Sequence, residues 1–289
     1  MRNKIVLNSP RLQKIKKGRN KVLRKKIAFF VLFLFIIFIA FVFISRWQKL
    51  NINNIQITGN KVIESKTLEE IVKKDISGYY LWVIPKTNFI FYPKNQIKKE
   101  LSVKFKRIKD ISISTENLNT LKVDLTERTA LYTYCGANLD AELFSQEKCY
   151  FLDKEGYIFD EAPFFSGEIY TKFYGTTDIN SENNPSDSYF FKTDFQKLIS
   201  LKETLGKMGI KSVIFYLQDD GNVNVYLTSK SQQLGPKIIL KLDSDFDKAI
   251  ENLQSILATE PLQTDFKTKY NSLLYIDLRF GNKVYYKFK

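Results

Sequence analysis

Ser145 and Lys148 stand three apart in SQEK, a spacing at which a lysine amine can take the proton of a serine hydroxyl that attacks an acyl group. The companion S-D-N and K-T-G motifs of such acylating enzymes are absent from the chain, and the pair lies in a polar connection rather than at the start of a helix. An exposed loop is therefore the better reading. The chain contains no histidine, which removes the commonest general base, the usual base of a catalytic triad and the commonest metal ligand. Cys135 and Cys149 are the only cysteines, too few for a zinc site built from thiolates alone. Asp153, Glu155, Asp160 and Glu161 alternate along a hairpin pattern, which reads as a solvated face rather than a metal cluster. No glycine-rich phosphate loop is present. The residues thus predict a protein without a catalytic centre, cofactor, metal or small-molecule substrate.

The elements that would carry any binding site begin with a membrane anchor. Residues 1–26 hold eleven Lys or Arg and no acid, while the rest of the chain carries 34 basic and 31 acidic side chains. The net charge of +14 is therefore a property of the tail, and nucleic-acid binding is not expected. Ile27 to Ile44 reads IAFFVLFLFIIFIAFVFI, without a polar side chain. At 1.5 Å per residue this run spans about 27 Å, roughly the thickness of a bilayer core. Its side chains favour insertion by roughly 5–10 kcal/mol, an upper figure because positions near the ends count less. Ser45-Arg46-Trp47 follows in place of a small-residue cleavage site, so an uncleaved anchor over 27–44 is expected, with Trp47 at the interface. The basic tail predicts a cytoplasmic N-terminus and an exported remainder.

Residues 53–128 predict a first unit. Ile55 and Ile57 alternate as in a strand, and Gly59-Asn60 is turn chemistry. Thr67 with Glu70 suggests a capping box for a helix whose inward residues are Leu68, Ile71 and Val72. A second helix is expected from Pro93 through Leu101, with Ile97 and Leu101 on one face. Strands follow at 108–113 and 121–126, separated by Thr115-Glu116-Asn117. The ITGN turn, the paired helices and the LKVDLTER close resemble the POTRA domain of the FtsQ/DivIB cell-division family. Thr129-Ala130 stands where that family usually has proline after Glu-Arg.

Residues 129–289 predict a second unit. Cys149 to Asp160 reads as a hairpin turning at Lys154-Glu155-Gly156 and resembles the D-x-x-G-x-x-F hairpin that opens the FtsQ-type β domain. A helix is predicted over 193–208, with Phe195, Leu198, Ile199 and Leu205 inward and Gly209 as its stop. Strands are predicted over 210–217, 223–228 and 236–242, the first two joined by Asp219 to Asn222. Ser244 with Asp247 is read as opening an amphipathic helix that buries Phe246, Ile250, Leu253 and Leu257. Cys135 and Cys149 would face an oxidising exterior; a disulfide and two free thiols both remain open, because sequence gives no distance. The fold class expected is α+β: one transmembrane helix, a β-α-α-β-β unit, and a curved, mostly antiparallel β domain with flanking helices.

The chain closes on YIDLRFGNKVYYKFK. Leu274, Ile276, Leu278 and Phe280 alternate with Tyr275, Asp277 and Arg279, predicting a strand with one apolar face. Gly281-Asn282 marks a reversal. Turn chemistry favours a two-residue loop, but matching of faces favours a three-residue loop that sets Phe280 against Val284, Leu278 against Tyr286 and Ile276 against Phe288. The longer loop, which also opposes Asp277 to Lys287, is the expectation. The last strand has no sequence neighbour beyond it, so its outer edge is expected to be open, guarded by Lys283, Lys287 and Lys289.

The DLRF core at 277–280 is similar to the C-terminal segment of the FtsQ/DivIB family, although Phe280 replaces the more usual tyrosine. That resemblance implies a dock at which FtsB/DivIC-like and FtsL-like single-pass division proteins add a strand. By position it implies contacts from Arg279, Phe280, Asn282, Lys283, Val284, Tyr285, Tyr286 and Phe288, and concentration of the protein at the septum. Two other readings compete: a POTRA-containing assembly factor for outer-membrane or secreted proteins, and a membrane-tethered hydrolase using Ser145. The inner anchor and the short second unit count against the former, the missing motifs against the latter.

Overall fold

A computed structural model describes residues 10–139, 148–177, 185–229 and 234–289. The chain divides into two compact units, one of Met1–Lys104 with Asp110–Thr126 and one of Phe105–Lys109 with Glu127–Lys289.

The first unit begins with α1 (Pro10–Ser45). Its segment Arg19–Ser45 is long and apolar enough to cross a membrane, with a mean hydropathy of 3.4 in its most apolar window and no burial there. It contains the expected run from Ile27 to Ile44, and Trp47 follows it exposed. The helix starts well before Ile27, so basic residues from Arg11 to Lys26 continue it as a rod. After α1 come β1 (Asn54–Thr58), α2 (Ser65–Ile76), β2 (Tyr79–Tyr80), β3 (Ile84–Pro85), α3 (Lys94–Lys104), β4 (Ile108–Asn117) and β5 (Thr120–Glu127). Both helices and all three long strands lie where hydrophobic periodicity places them; the ribbon of β2 and β3 was not anticipated.

A three-stranded sheet of order β1-β5-β4 covers a core of Leu68, Ile71, Val72, Ile97, Leu101, Ile113, Leu121 and Val123. β1 runs parallel to β5, with Ile55 opposite Leu121 and Ile57 opposite Val123. Gly59 adopts φ +84°, and a Cβ there would lie 1.9 Å from the Leu125 carbonyl oxygen. The close approach of backbone to backbone therefore requires glycine. Two local expectations need correction. Helix α2 starts at Ser65 with Glu64 as its N-cap, so Thr67 lies inside the first turn and forms no capping box. Thr115 to Asn117 belong to β4, and the reversal is made by Leu118-Asn119.

The second unit is built on one ten-stranded sheet of order β10-β8-β7-β6-β9-β11-β12-β13-β14-β15. Its strands are β6 (Tyr132–Tyr134), β7 (Cys149–Leu152), β8 (Tyr157–Ala162), β9 (Lys172–Tyr174), β10 (Ser188–Tyr189), β11 (Ser212–Leu217), β12 (Asn222–Leu227), β13 (Lys237–Lys241), β14 (Leu273–Phe280) and β15 (Lys283–Phe288). Most neighbours are antiparallel, but β6–β9, β9–β11 and β13–β14 are parallel. The last of these pairs is joined through α5 (Phe246–Leu257) and α6 (Leu262–Thr268), the kind of helical crossover a parallel pair demands. Alternation separates the two faces of the sheet. Phe173, Phe215 and Ile276 enter the main core with Phe195, Leu198 and Leu205 of α4 (Phe195–Lys207) and with Phe246, Ile250 and Leu253 of α5. Tyr174, Ile214 and Cys135 form a smaller cluster on the other face.

Cys135 and Cys149 are bonded to each other, with Cα atoms 4.1 Å apart, which closes the alternative left open by sequence. Helix α5 is capped by Asp245, whose carboxylate accepts from the backbone N–H of Asp247 and Lys248. Ser244, the expected cap, sits one residue too early and donates to the Lys241 carbonyl instead.

Candidate partner-docking edge

Strands β14 and β15 form an antiparallel hairpin at one end of the large sheet. Gly281 has φ +62° while Asn282 stays at negative φ, the pattern of a two-residue type II′ turn, and Phe280 faces Lys283 directly. Turn chemistry thus prevails over the expected three-residue loop. A β-bulge then sets Leu278 and Arg279 against Val284, after which Asp277 opposes Tyr285, Ile276 opposes Tyr286 and Tyr275 opposes Lys287. The bulge restores the matching of faces that the turn alone would break. Beyond the bulge the register differs by two residues from the expected one, so Asp277 meets Tyr285 rather than Lys287, while Ile276 and Tyr286 still share the core face.

A second irregularity between Leu273 and Tyr275 brings Leu273 into the core in place of the expected Leu274. Leu273, Ile276 and Leu278 are buried; Phe280, expected on the same apolar face, is 55% exposed. On β15 the split is clean. Val284, Tyr286 and Phe288 are half-buried against the core, whereas Lys283, Tyr285 and Lys287 are exposed. Tyr286 meets Phe288 edge-on at 6.0 Å. The outward Tyr285 meets Phe280 edge-on at 5.2 Å, giving the exposed face an aromatic pair beside the turn.

Arg279 turns back on the sheet. Its Nη2 lies 2.7 Å from Asp277 Oδ2, its Nε 2.9 Å from Asp277 Oδ1, and its Nη1 reaches Asn222 Oδ1 at 3.2 Å. The hydrogen bonds with Asp277 hold the guanidinium pKa above its ordinary value. Asp277 is buried, so this two-point pairing satisfies a carboxylate that would otherwise be costly inside the sheet. The D-x-R spacing is therefore partly a structural device that braces β14, and Arg279 has little freedom left to meet a partner. Asn252 of α5 donates from Nδ2 to the Gly281 carbonyl at 2.7 Å and ties the turn to the helix behind it. Sequence reasoning missed this residue, because nothing in the amphipathic pattern of α5 distinguishes one exposed amide from another.

The open edge follows from the backbone. β15 has one hydrogen-bonded neighbour, β14, among the described residues. The Lys289 N–H donates inward to the Ser272 carbonyl at 2.7 Å, and Lys283 closes the turn against Phe280. With a period of two, the N–H and C=O groups of Lys283, Tyr285 and Lys287 point towards β14, while those of Val284, Tyr286 and Phe288 point away from the sheet. Three residues thus present an unpaired ladder whose side chains anchor in the core, flanked by an aromatic and lysine-bearing face.

The other sequence candidates resolve differently. Ser145 lies outside the described residues, and Lys148 is exposed. Asp153, Glu155 and Asp160 each have a cation: Arg128 at 2.5 Å, Lys109 at 2.6 Å and Arg107 at 2.7 Å. The hydrogen bond from Lys109 lowers the Glu155 pKa below its ordinary value. These acids are ion-paired rather than simply solvated, and the Arg128–Asp153 pair is buried. Scanned against protein-family models, the sequence matches none, and a search of curated proteins finds no similar sequence.

Proposed function

We propose that this protein is a non-enzymatic scaffold of cell division, of the FtsQ/DivIB type. Helix α1 anchors it in the cytoplasmic membrane with the N-terminus inside. The first unit is its POTRA domain, and the second captures FtsB/DivIC-like and FtsL-like proteins outside the cytoplasm by adding their strand to β15. The observation that carries this reading is the unpaired ladder of Val284, Tyr286 and Phe288 on the edge strand. The strand-helix-helix-strand-strand order of the first unit, the spanning helix and the DLRF segment support it. The reading needs no cofactor and no small-molecule substrate; its partners are membrane-bound proteins.

Each main-chain hydrogen bond to an added strand contributes about 0.5–1.5 kcal/mol net, and burial of Phe280 and Tyr285 adds to it. Val284→Pro deletes one outward N–H without touching a bond to β14, so it should weaken capture about tenfold or more while circular dichroism and melting stay near wild type. Tyr285→Asp should weaken capture through the exposed side chains. A charge at Val284 or Tyr286 would be a poorer probe, because both side chains face the core. Co-purification of the division partners with the Val284→Pro protein at wild-type yield would refute the dock. In cells, depletion should produce filaments and a tagged copy should collect at midcell; uniform membrane distribution with normal division would refute the broader role.

A further inference from the structure

The β2–β3 ribbon has no role in the edge described above. Its tip carries Tyr79, Tyr80, Leu81 and Trp82, of which Leu81 is 89% and Trp82 92% exposed. Single exposed apolar residues are ordinary on protein surfaces. Here, however, Leu81 and Trp82 both adopt positive φ, +46° and +65°, a conformation that side chains larger than glycine rarely hold. The backbone accepts this strain in adjacent residues and leaves both side chains almost wholly in solvent.

Contacts of Arg46 and of Phe41 fix the level of this tip relative to α1. Arg46, the residue after the spanning helix, donates from Nε to the Val83 carbonyl at 3.1 Å and from Nη2 to the Trp82 carbonyl at 3.2 Å. Its guanidinium lies 5.5 Å from the Tyr79 ring centroid. Phe91 meets Phe41 of α1 edge-on at 5.9 Å, and Ile90 beside it is exposed. Phe41 lies inside the apolar run, about one turn before its end. The segment around Ile90 and the Tyr79–Trp82 tip therefore sit at the height where α1 leaves the hydrocarbon, a depth that tryptophan and tyrosine favour.

We propose that the Tyr79–Trp82 tip, with Ile90, inserts into the interfacial layer of the bilayer that α1 crosses, so that the first unit docks on the membrane surface through a second, monotopic contact. Leu81 and Trp82 enter the boundary between headgroups and acyl chains, and Arg46 holds the tip against the helix while its charge faces lipid phosphates. The inference rests on α1 spanning the membrane and is independent of strand capture at β15.

The chain has two tryptophans, Trp47 and Trp82, which allows a direct test with the full-length protein reconstituted in phosphatidylcholine vesicles. In Trp47→Phe protein, Trp82 emission should be blue-shifted and should lose intensity when the vesicles contain brominated phosphatidylcholine. Adding Leu81→Asp should return the emission towards that of tryptophan in water. Trp82→Phe protein reports Trp47 as an internal standard. Quenching of Trp47 by brominated lipid without quenching of Trp82 would leave the anchor in place and overturn the docking. So would a blue-shifted Trp82 insensitive to brominated lipid, which would assign the tip to a second copy of the chain. Trp47→Tyr replaces Trp47→Phe should the latter fail to fold.

Discussion

Tyr134 is the residue at which burial and ionisation meet most directly. Its ring lies in the main core, its hydroxyl donates to the Gly175 carbonyl at 3.1 Å, and burial pushes its pKa from 10.0 to about 12. The folded state thus holds this proton more tightly than the unfolded chain. Its contribution to stability is complete below pH 10 and is lost as pH rises from 10 to 12, an effect on the order of 2 kcal/mol. Tyr134→Phe should flatten the alkaline fall in stability over that window, measured by urea unfolding at several pH values. At neutral pH the same change should cost about 1–2 kcal/mol, because the Gly175 carbonyl loses its donor. An unchanged alkaline slope would mean that other groups, such as Tyr270, dominate it. Aromaticity at position 134 was visible in sequence; its burial beside a glycine carbonyl was not.

At the scale of elements, α5 packs against the β14–β15 hairpin and ties to its turn through Asn252. Its N-cap is Asp245, which receives two backbone N–H groups, while Ser244 bonds backwards to Lys241. Asp245→Ala should lower stability by about 1 kcal/mol, with a fall in Tm of several degrees, whereas Ser244→Ala should cost a few tenths. Equal effects in calorimetry would contradict the assigned cap. The helix itself was legible from Phe246, Ile250 and Leu253, because a buried face at helical spacing needs no knowledge of the partner surface. The cap was displaced by one residue because serine and aspartate are both good caps and only the entry path of the chain chooses between them. The β14–β15 register was misread for a related reason. A bulge uncouples turn length from face matching, and no rule of pairing announces where a bulge will fall.

At the scale of the whole molecule, the second unit is closed by the Cys135–Cys149 bond, which joins β7 to the end of β6 on the face opposite the main core. Restricting the unfolded chain over this sequence separation of 14 contributes about 3 kcal/mol in the entropic account. Reduction, or the double change Cys135→Ser and Cys149→Ser, should therefore lower the melting transition of the second unit and leave that of the first in place. Calorimetry of the full chain in detergent micelles, with and without reductant, separates the two outcomes. A shift of both transitions together would show that the units unfold as one.

What the sequence determined by itself was whatever depends on residues near one another along the chain: the apolar helix from Ile27 to Ile44, the alternation of Ile55 and Ile57, the buried faces of α2 to α5 and the reversal at Gly281. Each follows from periodicity or local backbone preference, which act over a few residues. The tertiary structure alone decided which segments become neighbours: the parallel pairings of β6 with β9 and β13 with β14, the bond between the two cysteines, the Arg279–Asp277–Asn222 brace and the place of β15 at the rim of the sheet. Those outcomes rest on which segments meet in space, at separations that run from 14 positions for the two cysteines to 57 for Arg279 and Asn222. Such contacts are selected by the shared burial of whole surfaces, and any one strand is compatible with several partners until the rest of the sheet has formed.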